Sequence, residues 1–150
     1  MNLEYMNLAL KEAEKALKVE EVPVGVIIVR DGLIIAKAHN KKVKSKSVLD
    51  HAEIIALMKA TKKLSDWRLD GCDMYVTLEP CPMCASAIQQ SRIKKVYIGT
   101  KSNFKTNGEI MANIFDNNEF YHHVDHEYVN DYRCEKILKD FFKSVRLKRK

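Results

Sequence analysis

A chain of 150 residues with 46% apolar side chains has the size and content of one domain around one core. Nothing approaches the roughly 18 uninterrupted apolar residues of a membrane span, and the opening "MNLEYMNLALKEAEKALK" is charged throughout, unlike a secretory leader. A soluble, cytoplasmic protein is the expectation. There, four cysteines are thiols or metal ligands rather than a disulfide framework. The net charge is +6, and Lys136 to Lys150 alone carries seven basic residues against Asp140, which leaves the remainder neutral. A second basic run, "KKVKSK", spans Lys41 to Lys46. Such runs are most often solvated surface, and they become a polyanion footprint only where an independent feature calls for nucleic acid.

In chain order, Met6, Leu10, Ala13 and Leu17 recur at helical spacing and predict an amphipathic helix ending near Lys18. "VGVIIV" and "LIIAKAH" read as two strands joined by a tight turn at Asp31-Gly32. A polar loop from Asn40 to Ser47 follows, then a second helix over "HAEIIALMKATKKL" with Ile54, Leu57, Met58 and Leu64 on one side. "DMYVTL", "PMCASAIQQS" and "KVYIGT" give strand, helix and strand, with Pro82 suited to the first helical turn, and this order implies a parallel crossover. After a loop containing Gly108, "IMANIF" suggests a short helix and "VDHEYV" a last strand. A basic helix over about 131–150 offers Ile137, Leu138, Phe141, Phe142 and Val145 as a sheet-covering face. The expected class is α/β, a mixed sheet with helices on both faces, without a repeat or linker.

The chemistry concentrates in "LEPCPMCASAI". Cys81 and Cys84 stand three apart where a helix begins, and there the helix dipole and free N–H groups favour thiolates. That placement suits thiol–disulfide exchange, zinc binding or plain packing, and the C-x-x-C alone does not choose among them. His51 and Glu53 in "DHAEIIAL" do, because two thiolates and a neutral imidazole balance Zn²⁺ and leave a fourth position open, the stoichiometry of a catalytic zinc. Singly, each has an ordinary alternative: a surface histidine, and a capping box from Asp50 to Glu53. Jointly, H-x-E followed by P-C-x-x-C is the zinc deaminase pattern, in which the glutamate is not a ligand but shuttles protons. Cys72 and Cys134 read as core residues, His39 is set aside because a fourth protein ligand would close the site, and His122, His123 and His126 lack metal-ligand spacing to any partner.

Over nearly its whole length the chain resembles the bacterial tRNA adenosine deaminase family, through "EVPVGVIIV", Asn40, "HAEIIAL", "DMYVTLEPCPMCASAIQQSRIKKVYIGT" and "ILKDFFKSVRLKR". "HAE" and "PCxxC" are shared with deaminases of free bases and nucleotides, whereas "VTLEPCPMCASAI", "SRI" and the "DFF" helix resemble the tRNA branch. The resemblance implies a cytidine-deaminase-like three-layer α/β/α sandwich on a five-stranded sheet, and a homodimer with one zinc per chain on His51, Cys81 and Cys84. It further implies Glu53 as catalytic residue, Asn40 as nucleoside contact, and the wobble adenosine of an arginine tRNA as substrate. With an RNA substrate expected, Lys41, Lys42, Lys44, Arg146, Lys148 and Arg149 become candidate phosphate contacts in the anticodon stem-loop. The sequence departs from the family at Asp50, where a small residue is usual, and in "KSNFKTNGEIMANI", which lacks the family's Asp and Gly-Ser. Two other readings remain open: a deaminase of a free base or nucleoside, and a non-catalytic zinc module for RNA, which requires a fourth protein ligand.

Overall fold

The computed structural model describes residues 1–117, 119 and 122–148. Along them run α1 (Leu3–Lys18), β1 (Gly25–Arg30), β2 (Leu33–His39), α2 (Lys42–Ser45), α3 (Ala52–Leu64), β3 (Asp73–Leu78), α4 (Pro82–Gln90), β4 (Lys95–Thr100), α5 (Asn107–Asp116), β5 (Asp125–Tyr128) and α6 (Tyr132–Lys148). The strands form one sheet in the order β2-β1-β3-β4-β5, with β1 antiparallel to β2 and β3 while β3, β4 and β5 are mutually parallel. Asp31 and Gly32 both have positive φ, 51° and 77°, as the tight β1–β2 hairpin requires.

Period-two alternation sorts the interior strands between two cores. Val26, Ile28, Met74, Val76, Val96 and Ile98 pack against α3, α4 and α5, whereas Ile27, Val29, Tyr75 and Tyr97 pack against α1 and Cys134 of α6. The result is the expected three-layer α/β/α sandwich. Two close approaches depend on glycine: a Cβ at Gly25 would strike the Ala9 carbonyl of α1, and one at Gly99 would lie 2.6 Å from the Thr77 carbonyl and against Cys134 Sγ.

Several expected faces are corrected. The buried stripe of α3 is Ala52, Ala56, Leu57 and Ala60, small side chains that let the helix lie close on the sheet, while Met58 is 65% exposed. On α6, Cys134 and Leu138 are buried but Phe142 faces solvent, because the helix packs on β3, β4 and α1 and its last turns run beyond them. The polar loop after Asn40 contains the single turn α2, and α5 starts at Asn107, earlier than "IMANIF" suggests.

At the C-terminal ends of β3 and β4, Glu79 ties three elements together. Its Oε1 accepts from Asn107 Nδ2 at 2.7 Å and its Oε2 from the Tyr128 hydroxyl at 2.6 Å. Asn107 Nδ2 also reaches the Pro80 carbonyl at 3.0 Å, so α5 and β5 brace the turn that delivers Cys81. This is the end of a parallel sheet where ligands usually bind.

Candidate active site

Two helix N-termini meet at this end of the sheet. His51 is the N-cap of α3 and Cys81 the N-cap of α4, with Pro82 following at the first helical position, and neither N-cap side chain caps its own helix. The helices begin properly all the same, with Ile55 N–H donating to the His51 carbonyl at 3.1 Å and Ala85 N–H to the Cys81 carbonyl at 2.8 Å. Imidazole and thiol are thereby left to face each other. His51 Nδ1 lies 3.7 Å from Cys81 Sγ and 3.5 Å from Cys84 Sγ, and the three donor atoms all fall within 4.8 Å of one another. With Zn–S of about 2.3 Å and Zn–N of about 2.0 Å, a tetrahedral zinc separates sulfur from nitrogen by about 3.5 Å, so this donor set fits the ion in both spacing and softness.

The ionisation of the cluster follows from its contacts. Hydrogen bonds with Cys84 and His51, supported by the Cys84 backbone N–H, pull the Cys81 thiol down to about 4. Its hydrogen bond to Cys81 and its burial push the Cys84 thiol up, so without a cation the pair retains one proton that a divalent metal would displace. His51 is raised, first by its bond to Cys81, against the loss of water around its ring and, more weakly, the charge of Lys42. Glu53 is buried and raised to about 7, chiefly by loss of water around its carboxyl, and its side chain approaches Cys84. Since α3 starts at Ala52, Glu53 occupies the second helical position rather than the third, and the capping box with Asp50 does not form. Among the described residues the metal-capable group contains His51, Cys81 and Cys84 alone, without the fourth protein ligand that a closed, non-catalytic centre requires.

Asn40 directly follows β2 in a buried position, its Nδ2 donating to Glu21 Oε2 at 3.3 Å. Glu21 escapes a sequence reading: an acid in "EEVPVG" looks like a solvated helix end, and only its place directly before an apolar strand hints at burial. Lys42 and Lys44 are exposed on α2 and Lys41 is half-buried before it. Arg146 and Lys148 are exposed near the end of α6, and Lys148 Nζ pairs with Glu20 Oε1 at 2.7 Å. Because Glu20 adjoins Glu21, which binds α2, the two basic segments share one rim of the molecule. Arg149 lies outside the described residues.

The remaining histidines and cysteines stay apart from this site. His123 bridges Asp116 at 3.4 Å and Asp125 at 2.8 Å, His126 packs edge-on against Tyr128, and His39 Nδ1 lies 3.3 Å from the Asn40 carbonyl. Cys72 and Cys134 are fully buried core residues, as expected. No helix among the described residues is long and apolar enough to cross a membrane.

Comparison with known proteins places this geometry. A family model described as MafB19-like deaminase matches residues 1–146. The tRNA-specific adenosine deaminase of Aquifex aeolicus is 42% identical over 144 residues, covering 95% of this chain and 94% of the relative. A solved structure from a study of A-to-I editing by tRNA:A34 deaminases at the wobble position superposes with a TM-score of 0.84 at 36% identity, over 91% of this chain and all of that one. A guanine deaminase from Bacillus subtilis is 38% identical but reaches a TM-score of only 0.63, over 67% of this chain and 66% of its own. Likeness that is both strong and end to end therefore lies with the editing enzymes, and this chain belongs to the deaminases, in the family of the tRNA-specific adenosine deaminases.

Proposed function

We propose that this enzyme hydrolyses the wobble adenosine of an arginine tRNA to inosine, releasing ammonia. The observation that carries the reading is the convergence of His51, Cys81 and Cys84 on one point, with the buried carboxyl of Glu53 against Cys84. His51, Cys81 and Cys84 would hold one zinc per chain, which would supply an activated water there by lowering its pKa from about 15.7 toward 7. Glu53 takes a proton from the attacking water and places it on N1 of adenine, which makes C6 electrophilic. Once the hydroxyl has added to C6, the same carboxyl takes its remaining proton and delivers it to the exocyclic N6, the C6–N6 bond breaks, and ammonia leaves with C6 as the keto carbon of inosine. Asn40 contacts the target nucleoside with its side-chain amide.

The anticodon loop suits such a site, because extruding a base costs least where bases are already unpaired. Lys41, Lys42, Lys44, Arg146 and Lys148 meet the loop phosphates from the shared rim, and Arg149 is a further candidate phosphate contact by sequence. The protein works in the cytoplasm as a homodimer. A groove of about 500 Å³ on the backs of α3 and α4, lined by Ile54, Leu57, Met58, Trp67 and Ala87 with Met58 and Trp67 exposed, supports pairing with a second copy there.

Mass spectrometry tests the reading on an arginine tRNA anticodon stem-loop with adenosine at the wobble position, run beside free adenosine, cytidine and guanine. A gain of about 1 Da confined to the stem-loop, the change from amine to keto oxygen, is the expected result. Turnover of a free base with unchanged RNA would move the enzyme to the small-molecule branch, which its likeness to guanine deaminase makes the second reading.

A further inference from the structure

We infer that Glu21 is a positioning residue for substrate recognition, its buried carboxylate locking the Asn40 amide in one orientation and tying it to the basic turn α2. The inference rests on the reading of Asn40 as a nucleoside contact. Glu21 follows Glu20, whose φ is 61°, and its N–H returns to the Ala16 carbonyl at 3.0 Å, so the backbone is fixed to the end of α1. The side chain is turned inward, with the residue only 1% exposed. A carboxylate so buried is tolerated when donors fill its lone pairs. Here Oε1 accepts from the Lys44 N–H at 2.7 Å, and Oε2 accepts from the Val43 N–H at 3.2 Å and from Asn40 Nδ2 at 3.3 Å.

Two consequences follow. Val43 and Lys44 are the second and third residues of α2, whose N-cap is Lys41, a side chain that cannot accept a hydrogen bond. Glu21 supplies the missing cap from twenty residues upstream. For Asn40, an acceptor on the protein side decides which end of the amide is which, because only the NH₂ end can donate to it. One Nδ2 proton is thus committed, and the other is left for a ligand together with Oδ1, which has no hydrogen-bond partner among the described residues. Asn40 therefore presents a donor and an acceptor in a fixed order. An amide free to flip would present them in the wrong order part of the time and would lose freedom on binding.

A buried carboxylate that merely braced the loop would make the same hydrogen bonds, so the test is a double-mutant cycle on zinc-loaded protein with the anticodon stem-loop as substrate. Glu21→Gln keeps the shape but replaces one acceptor oxygen with a donor. Acting through Asn40, it should raise KM about tenfold and leave kcat within about twofold, with zinc content unchanged. Asn40→Ala should cost at least as much in kcat/KM, and the double variant no more than Asn40→Ala alone. Losses that multiply in the double variant, or a Glu21→Gln enzyme as good as the parent while Asn40→Ala is impaired, would overturn the inference and leave the Asn40 reading standing. Full activity of Asn40→Ala would instead sink that reading and the inference with it. Should Glu21→Gln fail to fold, ¹⁵N spectra of the unaltered zinc-loaded protein decide: the one Asn40 Nδ2 proton bonded to Glu21 should exchange with solvent at least about tenfold more slowly than the side-chain amide protons of an exposed asparagine. Exchange at the exposed rate would overturn the inference.

Discussion

The metal mouth and the basic rim are built from opposite materials. His51, Glu53, Cys81 and Cys84 stand in the first turns of two regular helices, α3 and α4, both packed on the sheet, with Glu53 and Cys84 buried. Lys42, Lys44, Arg146 and Lys148 stand on a single helical turn and on the solvent-facing last turns of α6. The difference matches the tolerance of the task proposed for each. Holding an ion and moving protons fails with an error of about an ångström, so the mouth is anchored by brackets such as the Glu79 network. Phosphate attraction acts over about a Debye length, roughly 8 Å at physiological salt, and long mobile side chains suffice for it.

The largest expected effect lies in the mouth. Cys84→Ser or His51→Ala should leave less than one zinc per chain by elemental analysis and lower turnover at least about a thousandfold, since the water is no longer activated. Full zinc occupancy in both variants would mean that the ion is held elsewhere. Glu53→Gln should separate binding from chemistry, retaining zinc while turnover falls about 10²- to 10⁴-fold. Turnover like that of the parent would rule out the proton shuttle.

Effects at the rim should be smaller and depend on salt. Truncation after Phe142 removes five basic residues, and Lys42→Ala removes one. Each lost phosphate contact should flatten the dependence of log affinity on log salt by about 0.7 to 0.9. Stem-loop titrations from low to high salt read this directly, and an unchanged slope on truncation would assign the tail to solubility. The smallest effect belongs to the anchored end of α6, where Asp131 Oδ1 accepts from the Arg133 N–H at 3.0 Å as an N-cap. Asp131→Ala should cost about 1 kcal/mol and lower Tm by about 2 to 4 °C without touching zinc content. Arg133 holds the Asp131 carboxyl below its ordinary range. Its contribution is therefore full above the unfolded value of about 3.9 and fades as the pH falls through the lower folded value. The Asp131→Ala variant should show a shallower acid limb in a plot of Tm against pH.

Much of this could be read from the residues alone, for identifiable reasons. β3 and β4 run over the very residues expected, Asp73–Leu78 and Lys95–Thr100, because apolar runs with β-forming side chains are bounded by turn formers on both sides. His51, Cys81 and Cys84 were legible because metal chemistry restricts both residue type and spacing. The faces of α3 and α6 were not. Leu, Ile and Met mark an apolar stripe, but whether a helix is close to the sheet or beyond its edge decides which of them is covered. Alanines took the inner side of α3, and Phe142 was left outside.

Local pattern, then, determined most of the elements and the parallel crossover, while two short motifs about thirty residues apart had to be read together to name the metal-capable side chains. Tertiary structure decided what no window of sequence contains. It turned Glu53 inward beside Cys84, out of its capping box, and brought the end of α6 to Glu20 beside the α2 rim. It also made Glu21 the cap of a helix in another part of the chain and the partner of Asn40. A buried carboxylate needs donors from wherever the fold can supply them, and here they come from about twenty residues downstream.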